Sequence, residues 1–122
     1  MSRKSQYLIP FTRLKNLVLG RGFELSLVFI DNKLSRHLNL IYRRKNSPAN
    51  VLSFLLSRKT GEIFIDLITV KRETKKFGMS FETLVTYLFI HGLLHLKGMR
   101  HGDTMEQTEK KLLNGTPNRS RY

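Results

Sequence analysis

Cysteine is absent from the chain. Disulfides therefore cannot staple it, no thiolate can complete a closed structural metal site, and the composition fits a reducing compartment. Acidic residues are scarce: nine Asp and Glu stand against 22 Lys and Arg, a formal net charge of +13 at pH 7. Charge of that size on so short a chain speaks to partners rather than to fold. The partner it fits is a polyanion, with nucleic acid ahead of an anionic membrane. A membrane-spanning run is missing too. The longest apolar stretch, residues 81–96, is too short to span and carries two histidines, so it reads as a buried helix. The basic N-terminus has neither the apolar core nor the small-residue cleavage site of a signal peptide, and there is no internal repeat or low-complexity tract. The expectation is a cytoplasmic protein with no membrane association. At 122 residues it forms one domain over 1–122, able to bury a single core but not two, with flexible basic ends at about 1–6 and 114–122.

Apolar periodicity divides the chain. Pro10 opens a helix with Phe11, Leu14, Leu17 and Val18 on one stripe, ended by Gly20 and Gly22. From Phe23 to Ile30 the pattern alternates, as in a strand partly covered on both faces. Asp31 or Asn32 caps a second helix whose Leu34, Leu38, Ile41 and Tyr42 form an apolar stripe. Its basic end, Arg43-Arg44-Lys45, has two readings of equal weight: charges that complement the helix dipole, or a phosphate clamp. Val51 to Leu56 and Glu62 to Thr69 read as strands of an antiparallel hairpin linked by residues 57–61. Thr69 starts a short charged helix that stops at Gly78. Ser80 caps a long helix through Lys97, apolar nearly all round and so central, and Met105, Leu112 and Leu113 mark a last helix.

Three of the four histidines fall within His91-Gly92-Leu93-Leu94-His95-Leu96-Lys97-Gly98-Met99-Arg100-His101. A single histidine in an apolar helix is usually a hydrogen-bonded core residue. Here His91 and His95 are four apart and project from one face about a turn from each other. Gly98 suits the left-handed conformation that ends a helix, letting the chain reverse and bring His101 back beside them. Three neutral nitrogens with an open fourth position describe a catalytic zinc site. The spacing is close to the metzincin pattern H-E-x-x-H-x-x-G-x-x-H, whose Glu is the general base. Gly92 stands where that Glu would be and cannot take a proton, so protease chemistry loses its base.

With these residues in view, the chain resembles the YbeY family of bacterial metal-dependent endoribonucleases that act in rRNA maturation and ribosome quality control. The histidine stretch is similar to the family's H-G-x-L-H-L-x-G-Y-D-H. Leu38-Asn39-Leu40-Ile41-Tyr42-Arg43-Arg44-Lys45 is similar to L-N-x-x-Y-R-x-K, Asn50-Val51-Leu52-Ser53-Phe54 to D/N-V-L-S-F, and Gly61-Glu62-Ile63 to G-D-I. Met105, Glu109 and Leu112-Leu113 match the closing helix. The resemblance implies an α+β single domain, a small mixed β-sheet packed with helices around a central apolar helix that carries a three-His metal site. It implies one zinc ion, or another divalent metal, held by His91, His95 and His101, with Arg43 important for activity on RNA. Lys45 and Glu62 stand where the family keeps functional residues, and Asn39 falls inside its second motif.

The departures are specific. Arg100 replaces the Asp before the third histidine and reverses a charge beside the metal, with Asp103 nearby as a candidate substitute. Glu62 replaces an Asp, and Leu55 stands where the family has Pro. The expected activity is zinc-dependent endoribonucleolytic cleavage of single-stranded RNA in rRNA processing, with rRNA and a ribosomal subunit or ribosome-associated proteins as partners. In that reaction the metal acts as Lewis acid on a phosphoryl oxygen, Arg43 pairs with a phosphate, and Lys45, Lys97 and Arg100 concentrate RNA by charge. The competing readings are a non-catalytic RNA- or ribosome-binding assembly factor with a structural or vestigial metal, and, more remotely, a metalloprotease.

Overall fold

The computed structural model describes residues 9–116. The expected flexible ends lie outside these residues, apart from 114–116, whose first residue closes the last helix. The elements are α1 (Phe11–Leu19), β1 (Glu24–Ile30), α2 (Asn32–Arg43), β2 (Val51–Ser57), β3 (Thr60–Asp66), α3 (Leu67–Phe77), α4 (Phe81–Leu96) and α5 (Asp103–Asn114). This is the expected α+β domain with a small mixed sheet.

The helix α4 is the core. Ser80 caps it by accepting from the Thr83 amide at 3.1 Å, and Glu82 lies in its first turn, where the dipole favours an acid. Leu84, Val85, Leu88, Phe89, Ile90, Leu93, Leu94 and Leu96 are all buried around its circumference, each contributing roughly 1.5–3 kcal/mol. One side of α4 lies on the sheet, and α1, α3 and α5 pack around the rest. No single described helix is long and apolar enough to cross a membrane.

The strand order is β1-β3-β2, with β1 parallel and β2 antiparallel to β3. A parallel pair needs a crossover, which α2 and β2 supply between β1 and β3. Side chains alternate along a strand, so Val51 and Ser53 share α4's face with Ile63 and Ile65, their register partners. Phe54, Glu62 and Phe64 point to the opposite face, where the Tyr42 ring of α2 meets Phe54 at 4.9 Å. The hairpin is tighter than expected, since β3 begins at Thr60 and only Arg58 and Lys59 separate the strands. β3 also stops sooner. Buried Asp66 accepts from the Thr69 amide and hydroxyl, which starts α3 at Leu67 and takes Leu67, Ile68 and Thr69 out of the strand.

Two apolar stripes are corrected. In α1, Leu14 and Val18 are buried but Leu17 is 65 % exposed. In α2, capped by Asp31, the fully inward side chains are Ser35 and Asn39, while Leu34, Ile41 and Tyr42 are exposed. The reason is hydrogen bonding. Ser35 Oγ donates to the Ala49 carbonyl and accepts from the Ala49 amide, and Asn39 Nδ2 donates to the Ser47 carbonyl at 2.8 Å. The helix thereby holds the segment before β2 through polar contacts, and the apolar arc is turned to the flank.

Candidate metal centre

His91 and His95 sit one turn apart on α4. Past its end, Gly98 has φ +103, its amide bonds to the His95 carbonyl, and the Met99 amide bonds to the Leu94 carbonyl at 2.9 Å. These bonds satisfy the last carbonyls of α4 and turn the chain back. His101 then arrives beside the helix, followed by Gly102 with φ +151 at the start of α5. One ring nitrogen from each of the three histidines lies within 4.8 Å of the others, and the ring centroids are 4.5, 4.8 and 5.1 Å apart.

Partners on the far side of two rings decide which nitrogens are free. His95 Nδ1 lies 3.1 Å from the Met99 carbonyl, which can only accept, so Nδ1 carries the proton. His91 Nδ1 is hydrogen-bonded to Glu109 Oε2, again an acceptor. In the neutral rings both Nε2 atoms are then bare lone pairs, and they face one another at 3.0 Å. Two acceptors at that distance repel unless a cation lies between them. The donor set and its geometry therefore fit a divalent ion with nitrogen preference, such as zinc.

Glu109, buried on α5, also accepts from the Tyr87 hydroxyl at 3.1 Å. Burial raises the Tyr87 pKa, helped by the charge of Glu109 and by that hydrogen bond. A carboxylate behind a ligating imidazole fixes its orientation and raises its basicity. Glu109→Gln is expected to weaken zinc binding about 10- to 100-fold, read by competition with a chelating dye while circular dichroism shows unchanged helix content.

The His95 pKa is lowered, first by burial and then by His91; the hydrogen bond to Met99 opposes this, and His101 and Arg43 add smaller lowering contributions. A depressed value means that the unfolded chain takes up this proton first as pH falls below the ordinary imidazole value. The contribution of His95 to stability is therefore complete above that pH and is lost as pH drops from there through the lower folded value. Urea midpoints of metal-free protein between pH 5 and 8 are expected to fall on the acid side of this range, less steeply in His95→Gln.

A cleft of about 680 Å³ opens over the histidines and is lined by Arg43, Lys45, Asn50, Val51 and Ser53. Arg43 ends α2, and Arg44 adopts the left-handed conformation with φ 60. That reversal lets Arg43 and Lys45 line the same cleft, while Arg43 also stands in the last turn of α2, where the dipole favours a cation. Asn50 is held from outside by Glu73, to which its Nδ2 donates at 2.8 Å. The floor is close-packed: a Cβ on Gly92 would lie 2.8 Å from Ser53 Oγ and 3.0 Å from Ile63 Cδ1. Glycine at this position lets the helix lie close on the sheet, and any side chain there must displace Ser53 or Ile63.

Other residues singled out in the sequence lie outside the cleft lining. Asn39 is buried behind it, bracing Ser47, and its Oδ1 has no hydrogen-bond partner. Glu62 points to the α2 side of the sheet. Lys97 Nζ donates to the Val18 carbonyl at 3.0 Å and so closes the end of α1. Arg100 and Asp103 are exposed, and no described hydrogen bond joins Asp103 to a histidine. The carboxylate that reaches the centre is Glu109. Its signal was in the sequence: an acid four residues after Met105 and three before Leu112, on the apolar stripe of the last helix.

A family model described as "Endoribonuclease YbeY" matches residues 5–117. Among curated relatives of that name, the protein of Chelativorans sp. is 40 % identical over 103 residues, 73 % of this chain and 63 % of the relative. That of Ehrlichia chaffeensis is 38 % identical over 88 residues, 68 % and 57 % of the two chains. That of Bacillus cytotoxicus is 33 % identical over 106 residues, 75 % and 67 %. The match thus spans about three fifths to two thirds of these relatives' length. In fold, the chain is similar to the solution structure of TM1509 from Thermotoga maritima, with a TM-score of 0.64 over 93 % of this chain and 83 % of the other at 22 % identity.

Proposed function

The chain belongs to the YbeY family, and on that premise we propose that it is a zinc-dependent endoribonuclease that cuts single-stranded RNA in rRNA maturation. The observation that carries this reading is the three-histidine group lying under Arg43 and Lys45 in one cleft. The relatives' printed name, Endoribonuclease YbeY, supports the reaction class. The net charge of +13 supports a polyanionic substrate. The setting proposed is the cytoplasm, with a ribosomal subunit or its associated proteins as partners.

His91, His95 and His101 would hold the ion. A divalent ion there supplies Lewis acidity toward a phosphoryl oxygen. Arg43 pairs its planar guanidinium with the oxygens of the same phosphate and balances the negative charge that grows as the phosphodiester is attacked. Lys45 attracts the flanking backbone as a point charge. Glu109 keeps the His91 ring turned with Nε2 toward the cleft. No carboxylate lines the cleft among the described residues, so these side chains contribute position and charge rather than a carboxylate base.

That missing carboxylate favours one other reading, an RNA-binding ribosome assembly factor whose metal is structural. Cleavage of an rRNA fragment by zinc-loaded protein, its loss on chelation and its return on zinc addition separate the two. An assembly factor would bind the fragment throughout and leave it whole.

A further inference from the structure

We infer that Tyr42, backed by Phe54, is a stacking platform for an unpaired nucleobase beside the phosphate held by Arg43. The inference rests on the RNA reading above and adds a specificity-determining residue to it. Tyr42 is 62 % exposed although it is a large aromatic side chain. It is held from behind: its ring meets Phe54 at 4.9 Å, and Phe54 meets Phe64 edge-on at 5.8 Å. An exposed ring anchored on an aromatic column is rigid, so little conformational freedom is lost when a base stacks on it.

Register ties this platform to the cleft. Arg43 and Ser53 line the cleft, and the residues adjoining them in the chain, Tyr42 and Phe54, make the aromatic pair. The two features lie one residue apart on each of two elements, on opposite faces of β2. β2 is an edge strand, so a single strand leaving the cleft can pass over it and present its next base to Tyr42. Arg43, Arg44 and Lys45 follow Tyr42 directly and supply the charge complementarity for the backbone of that strand. A paired base has its faces covered by neighbours in the helix, so the platform selects single-stranded over duplex RNA.

The test is binding of a fully 2′-O-methylated oligonucleotide, single-stranded or annealed to its complement, to wild type, Tyr42→Phe and Tyr42→Ala by fluorescence anisotropy in EDTA, where neither a ribose hydroxyl nor a metal-activated water can cut the probe. Tyr42→Ala is expected to lose about tenfold in affinity for the single strand, within the range for base–aromatic stacking, and none for the duplex. Tyr42→Phe is expected to keep wild-type affinity, and replacing the stacked base by an abasic site should bring wild type down to the Tyr42→Ala value. Equal single-strand affinity of wild type and Tyr42→Ala, including no binding by either, overturns the inference. So does an equal loss on single strand and duplex. Because the probe cannot be cut, a Tyr42-dependent protein that fails to cleave ordinary RNA would keep the platform and lose only the nuclease reading.

Discussion

His95→Ala is expected to slow single-turnover cleavage of an rRNA fragment by at least about a thousandfold and to leave the protein without bound zinc. The size follows from the several kcal/mol that a divalent ion contributes to a developing phosphoryl charge, at about 1.36 kcal/mol per tenfold in rate. His95 is one of the two candidate ligands carried by α4, and its Nδ1 is held by the Met99 carbonyl. Arg43→Ala provides the contrast. It removes a charge from the cleft wall without touching a ligand, so it should cost roughly a hundred- to a thousandfold in rate while metal content stays at wild-type level. Arg43→Lys should recover only part of this, since an ammonium cannot pair with two oxygens in one plane. Rates and zinc content measured on the same preparations decide the matter. A His95→Ala protein that cuts as fast as wild type would place any nuclease activity elsewhere and bring the assembly-factor reading forward.

Gly92→Glu is expected to cost about 4 kcal/mol or more, a large share of the roughly 5–15 kcal/mol that holds a domain together. The added Cβ alone would stand 2.8 Å from Ser53 Oγ and 3.0 Å from Ile63 Cδ1. Overpacking of that kind costs about 1–3 kcal/mol, and a carboxylate driven against Ile63 adds several more through lost hydration. Replacing a helical glycine returns at most about 1 kcal/mol. Gly92→Ala should accordingly lose only about 0–2 kcal/mol. Urea midpoints of the three proteins would show the order wild type, Ala, Glu. A Gly92→Glu protein as stable as wild type would mean that α4 does not rest on β2 and β3 as described. The metzincin base therefore cannot be restored here by one substitution: the position that would carry it is occupied by the sheet.

The central helix and the histidine trio were legible because their signals are unambiguous: apolar residues on all sides of α4, a four-residue histidine spacing, and a glycine where the helix must end. The inner face of α2 was not. Periodicity follows apolar residues, whereas this helix is seated by Ser35 and Asn39 on the carbonyls and amide of residues 47 and 49. The border between β3 and α3 was misplaced because Ile68, Thr69 and Val70 are good strand formers, and the deciding residue, Asp66, acts as a buried cap. Charged residues at and just past helix ends were the least readable. Arg43 and Lys45 reach the cleft through the left-handed turn at Arg44, but Lys97 spends its charge on the end of α1, and nothing in their residue types distinguishes them.

The three histidines are carried in two ways. His91 and His95 stand on a buried helix, their rings held by Glu109 and by the Met99 carbonyl. His101 lies between Gly98 and Gly102, both at positive φ, on an exposed crossing from α4 to α5. For an ion held as proposed, the rigid pair would set how strongly it is favoured. The glycine-flanked histidine would set how quickly it comes and goes, because releasing one arm would open the coordination sphere while the other two stay aligned. Affinity and exchange rate would then belong to different stretches of chain.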